Sequence, residues 1–141
     1  MNSLDEIAIL VNEKPASECQ VSANVKAILN EINNLMQVLL ETGVSNTIDL
    51  RGLPLEPGEY ESLKAILGEG EVSATLETMG SSKIIETQLS GVWWLFHDDE
   101  NAERLAEFIE VTFMPTILKS DRVEVAAAKE ALLEQLESLV E

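Results

Sequence analysis

The 141-residue chain contains one cysteine and one histidine, and these two scarcities remove much of the chemistry that small proteins use. A single thiol, Cys19, closes no disulfide within the chain and cannot by itself build a zinc site, which takes three or four Cys, His or carboxylate ligands. It sits among Glu18 and Gln20 with no adjacent base to lower its pKa, so thiolate chemistry is disfavoured. With His97 as the sole imidazole, a Ser-His-Asp or Cys-His constellation needs a nucleophile that nothing in the sequence brings near it. Bases are also few: 9 Lys and Arg against 26 Asp and Glu give a formal net charge of −17. Repulsion from phosphates therefore excludes nucleic acid and an anionic membrane surface as partners, and favours a cationic partner or plain solubility. No run approaches the roughly 18 apolar residues of a membrane span. The N-terminal stretch carries acids where a secretory leader needs bases. The expected location is the cytoplasm.

What is present is a foldable domain. The sequence is 45% hydrophobic and 25% charged, enough apolar material to offset chain entropy over one domain's length. Residues 1–20 have no clean period and read as an arm. Residues 22–43 read as a long helix, because Val25, Ile28, Leu29, Ile32, Leu35, Met36 and Leu39 form one apolar stripe, with Ser22 as N-cap and Gly43 past the end. The length of that stripe predicts a homodimer through whatever part of it the sheet leaves uncovered. Ser45 to Leu50 is β-prone but is interrupted by Gly52 and Pro54. A second helix fits Pro57 to Leu67, stopped by Gly68.

Beyond Gly70 the period changes from 3.6 to 2. Val72, Ala74 and Leu76 make one strand, Gly80-Ser81-Ser82 a turn, and Ile85, Thr87 and Leu89 the face of the next. Val92 to His97 is an aromatic, β-branched third strand. Leu105 to Phe113 fits helix or strand; a hairpin through Asp98–Asn101 favours the strand. Asp121 with Glu124 forms a capping-box pattern opening a C-terminal helix over 121–140, whose apolar face is Val125, Ala128, Leu132, Leu136 and Leu139. The whole predicts a single α+β domain, an antiparallel sheet of about four strands packed against two or three helices.

Three features bear on chemistry. The carboxylates Asp98, Asp99, Glu100 and Glu103 lack the ligand spacing of an EF-hand and read first as a solvated turn. Together with His97, Asp98 and Asp99 offer the alternative of a metal- or small-ligand-binding domain. Gly68-Glu69-Gly70 precedes a strand and so fails as a phosphate loop. Trp93 and Trp94 point to opposite faces of their strand, so one is core and the other either packs under a helix or marks a partner surface.

The order Leu53-Pro54-Leu55, Tyr60-Glu61-Ser62-Leu63, Leu67-Gly68-Glu69-Gly70-Glu71-Val72 and Glu86-Thr87-Gln88-Leu89-Ser90-Gly91-Val92-Trp93-Trp94, followed by Glu110-Val111 and Met114-Pro115, resembles the C-terminal domain of the HupH/HyaF-type hydrogenase expression/formation proteins. The resemblance spans about residues 50–119, within the α+β core expected over 47–119. It implies a cytoplasmic, non-catalytic accessory protein of nickel-iron hydrogenase maturation, without cofactor or metal. Its implied partner is a precursor subunit, the iron–sulfur small subunit foremost, or another maturation factor. The matching motif includes the structural positions Pro54, Gly68, Gly70, Glu71, Gly91 and Pro115; Glu86, Thr87, Trp93 and Trp94 are expected either to form a contact patch for the partner or to serve the fold alone.

Overall fold

The computed structural model describes residues 21–139; the expected N-terminal arm and Cys19 lie outside them. Helix α1 (Ala23–Thr42) begins where the Ser22 side chain accepts from the Val25 amide and ends at Gly43, which is left-handed at φ 75°. Helix α2 (Pro57–Leu67) follows an exchange between Glu56 and Glu59, each accepting from the other's backbone amide. Five strands follow or intervene: β1 (Asn46–Asp49), β2 (Ser73–Thr78), β3 (Gly80–Glu86), β4 (Val92–Asp98) and β5 (Arg104–Val111). A short 3₁₀ turn (Thr116–Leu118) leads to α3 (Arg122–Ser138).

The sheet runs β1-β5-β4-β3-β2, with every pair antiparallel. It has one strand more than the four expected. The extra strand is the β-prone piece before Gly52, which pairs Asn46 with Val111 and Asp49 with Phe108 on the outer edge of β5. The ambiguous stretch after Arg104 is a strand, as the hairpin requires. The turn between β2 and β3 is tighter than the sequence suggested: Thr78 faces Gly80 directly, with Met79 at the tip. Strand β3 also stops at Glu86, so Thr87 and Leu89 belong to the turn into β4 rather than to a continuing strand face.

Helices α1 and α2 cover one face of the sheet. Val25, Ile28, Ile32, Leu39, Leu63 and Leu67 meet Val92, Trp94, Ile109 and Val111 there. Burial of these side chains is the main stabilising term of the domain. On the opposite face Ile84, Trp93 and Leu95 form a second cluster, against which Ala74, Leu76, Phe108 and Leu118 pack. Both tryptophans are therefore buried, Trp93 at 6% and Trp94 at 4% exposure.

The C-terminal helix departs from the two-layer expectation. It forms, and Asp121 caps it by accepting from the Glu124 amide, but none of its described residues is buried. Of the α1 stripe from which a homodimer was expected, Val25, Ile28, Ile32 and Leu39 are buried in the chain's own core, and Leu29, Leu35 and Met36 pack against it partly buried.

Candidate functional site

The turn from Thr87 to Gly91 is built by one hydroxyl. Thr87 Oγ1 donates to the Val92 carbonyl at 2.8 Å and accepts from the Leu89 amide at 3.1 Å, and at 2% exposure it is sealed inside the loop. The segment after α2 threads beneath it. The Gly70 amide donates to the Glu86 carbonyl at 2.7 Å, and a Cβ at Gly70 would lie 2.5 Å from the Thr87 carbonyl oxygen. Only a residue without a side chain allows that approach. Gly68 ends α2 with a positive φ, Gly91 closes the turn, Pro115 is buried at the start of the 3₁₀ turn after β5, and Pro54 and Glu71 lie in exposed connections.

Of the four expected contact residues, Thr87, Trp93 and Trp94 are thus inside the domain and only Glu86 reaches the surface. Trp93 Nε1 donates to the Thr112 carbonyl at 3.2 Å, and the strand register sets Glu86 and Glu110 on either side of Trp93. Burial pushes the Glu110 carboxyl up. Glu86 stands between two concavities. One is an apolar groove of about 270 Å³ lined by Met36, Leu39, Leu40, Gly91 and Phe113; the other is an acidic bowl that adds Glu69 and Glu71. Leu40 is 73% and Phe113 67% exposed, and among the described residues no cation pairs with Glu69, Glu71 or Glu86.

A second cluster was not anticipated from sequence. Glu107, 6% exposed, accepts from Trp94 Nε1 at 2.6 Å and from the Tyr60 hydroxyl, and its other oxygen meets Arg104 Nη1 at 2.9 Å. Arg104 Nε also reaches Asp98 at 2.5 Å, and its guanidinium lies 3.9 Å over the Phe96 ring. Burial works against the Arg104 charge, but Asp98 and Glu107 together outweigh it and hold its pKa above the usual value. The available signal was positional: in an alternating strand, Glu107 falls on the core side with Ile109 and Val111.

Tyr60 packs edge-on against Trp94, with ring centroids 5.6 Å apart. Burial and the neighbouring Glu107 carboxylate push its pKa up to about 12. The phenol thus stays neutral in the folded state above the pH at which it ionises in the unfolded chain. Its contribution to stability is complete below pH of about 10 and is lost as pH rises from there towards about 12. Tyr60 is the chain's single tyrosine, so phenolate absorbance reports it alone. The expected midpoint in the folded protein is near 12; an ordinary tyrosine midpoint, with the fold intact, contradicts the part-buried Tyr60–Glu107 contact.

At the β4–β5 hairpin the three residues considered for a metal do not converge. His97 Nδ1 is paired with the Ser82 hydroxyl at 2.5 Å, Asp98 is held by Arg104, and Asp99 accepts from the backbone amides of Asn101 and Glu103. Among the described residues, no three His, Cys, Asp or Glu side chains are grouped as metal ligands, and no helix is long and apolar enough to cross a membrane.

A family described as the C-terminal conserved region of HupH hydrogenase expression protein matches residues 22–139. The chain belongs to this HupH family. The match includes α1 and α3, well beyond the resemblance over about residues 50–119. A solved structure, hydrogenase expression protein HupH from Thiobacillus denitrificans ATCC 25259, is 47% identical with a TM-score of 0.81, covering 84% of this chain and 98% of that one. Hydrogenase expression/formation protein HoxQ of Azotobacter vinelandii is 33% identical over 69 residues, 48% of this chain and 24% of that protein. HupQ of Azotobacter chroococcum mcd 1 is 28% identical over 89 residues, 62% of this chain and 31% of that protein. The matched segments thus span about a quarter to a third of those two curated relatives.

Proposed function

We propose that this HupH-family chain is a non-catalytic accessory protein of nickel-iron hydrogenase maturation, working in the cytoplasm. In this reading it binds a precursor subunit, the iron–sulfur small subunit foremost, or a fellow maturation factor. The observation that carries the reading is Glu86, set between an apolar groove and an acidic bowl whose carboxylates have no cation among the described residues. Such a surface suits a partner segment that presents an apolar side chain beside a basic one. The overall charge of −17 steers a cationic segment toward it.

The test is affinity capture from the native host under hydrogenase-inducing, low-oxygen conditions, with the bound proteins identified by mass spectrometry. The wild type is expected to retain a hydrogenase subunit or maturation protein. Leu40→Ser with Glu86→Arg is expected to lose it, while the melting temperature changes by no more than a few degrees, because both side chains lie at the surface. Retention of the same proteins by the double variant, or recovery of no hydrogenase-related protein by the wild type, contradicts the reading.

A further inference from the structure

The two outer strands of the sheet present edges of different kinds. At one side β1 has four residues. At the other β2 has six, Ser73–Thr78, and among the described residues no strand pairs with its outer side. Proteins protect such an edge by keeping it short or by placing a proline, a lysine or a bulge on it. Strand β2 has none of these. Its register with β3 runs unbroken from Ser73 opposite Ile85 to Thr78 opposite Gly80, and it contains neither proline nor lysine.

The phase of the ladder fixes which backbone groups are left over. The Glu86 amide donates to the Val72 carbonyl at 2.9 Å, so in this register Ala74–Ile84 and Leu76–Ser82 are the next hydrogen-bonded pairs. Ser73, Thr75 and Glu77 therefore direct their N–H and C=O groups away from β3. Their side chains are exposed on one face, whereas Ala74 and Leu76 lie on the other, packed against the cluster of Ile84, Trp93 and Leu95.

Charge selects the strand that fits. The edge leads from Glu69 and Glu71 of the acidic bowl to a hollow lined by Glu77, Asp99 and Glu100, and the strand between them is about 20 Å long. Two bases lie nearby: Lys83, opposite Thr75 on β3, and Lys64, which shares a groove with Glu61 and Glu69. Acids outnumber them. A second copy of this edge would set like charges against one another, which destabilises strand pairing, and residues 1–20, with four acids and one base, carry the same sign.

We infer that the outer edge of β2 takes up an extended, basic segment of a partner protein, which adds to the sheet as a further strand. Apolar side chains of that segment lie beside Ala74 and Leu76, and Lys or Arg lies beside Ser73, Thr75 and Glu77. This surface is separate from the groove beside Leu40 and does not rest on the reading given to it.

The test is a short capped peptide of alternating lysine and valine, titrated into the full chain by calorimetry and followed by residue-resolved amide exchange. In the free chain the amides of Ser73, Thr75 and Glu77 are expected to exchange at least about tenfold faster than those of Ala74 and Leu76, and bound peptide to slow them. Thr75→Pro is expected to abolish binding while the fold persists, because that N–H serves no bond to β3. Glu71→Lys with Glu77→Lys is expected to weaken binding about tenfold, and a peptide of alternating glutamate and valine not to bind. Slow exchange of these three amides in the free chain means that the edge is already covered, by residues 1–20 or a second copy, and overturns the inference. So does a wild type that fails to bind the peptide, or binding that leaves the three amides unprotected. Unchanged affinity of the Glu71→Lys, Glu77→Lys protein overturns it as well, and that variant decides the matter if Thr75→Pro fails to fold. None of these outcomes involves a hydrogenase protein, so they stand apart from the capture experiment.

Discussion

Replacing Glu107 with alanine is expected to cost about 3–5 kcal/mol, because it strips a buried carboxylate from a basic partner and from two polar donors at once. Arg104 would keep Asp98 but lose its inner anion, and the Trp94 indole N–H and Tyr60 hydroxyl would be left without the acceptor they now share. At about 3–5 °C per kcal/mol for a domain of this size, the melting temperature falls by roughly 10–20 °C. Two milder variants separate the parts. Tyr60→Phe removes one donor and is expected to cost about 1 kcal/mol. Glu107→Leu combined with Arg104→Met fills the space and removes both charges, and is expected to recover only the part of the loss due to the guanidinium, since the Trp94 and Tyr60 donors still lack their acceptor. Calorimetric unfolding measures all three, and a Glu107→Ala effect below about 1 kcal/mol contradicts the role given to this cluster.

The second large effect is expected at Gly80. This residue opens β3 at φ 120°, and a Cβ there would lie 2.3 Å from the Asp98 carbonyl oxygen and 3.2 Å from the Asp99 Cα. Both neighbours are backbone at the end of β4, so no side chain can swing aside to make room. Gly80→Ala therefore combines a backbone conformation that suits glycine with overpacking against a paired strand, a cost of roughly 2–4 kcal/mol. The damage should be directional. Separation of the β2–β3 hairpin from β4 is expected to raise amide exchange at Ser81–Lys83 more than along β5, since β5 has β1 on its other side. Gly58→Ala is the control, because nothing lies within 4 Å of the Cβ it adds. Equal stability of the Gly80→Ala and Gly58→Ala proteins contradicts this account of the turn.

Which parts of the molecule were readable from sequence follows from how local their causes are. The α1 stripe, the Ser22 cap, the Gly43 stop and the Asp121 cap depend on residues within one turn of one another, and each stands where the pattern put it. The strand after Arg104 needed one non-local premise, the hairpin through Asp98–Asn101, and that premise sufficed. The short β1 strand escaped the count because its pairing with β5 joins residues about 60 positions apart, while the nearby Gly52 and Pro54 argue locally against a strand.

The site was less readable for the same reason. Alternation places Trp93 and Trp94 on opposite faces, but not what covers each face. Two clusters bury both indoles, which leaves Glu86 as the accessible member of the expected patch. The groove beside it combines Met36, Leu39 and Leu40 from α1 with Phe113 from beyond β5, a juxtaposition that no spacing along the chain encodes. The C-terminal helix shows the converse: its apolar face was plain in the sequence, yet an amphipathic pattern does not specify whether its cover comes from the same chain.

The central claim is that the surface around Glu86 holds a hydrogenase-maturation partner. Calorimetric titration of the full-length chain with purified iron–sulfur small-subunit precursor tests it most directly. Saturable binding of the wild type is expected, at least tenfold weaker for Leu40→Ser with Glu86→Arg, with both proteins melting within a few degrees of each other. Equal affinity of the two proteins would contradict it.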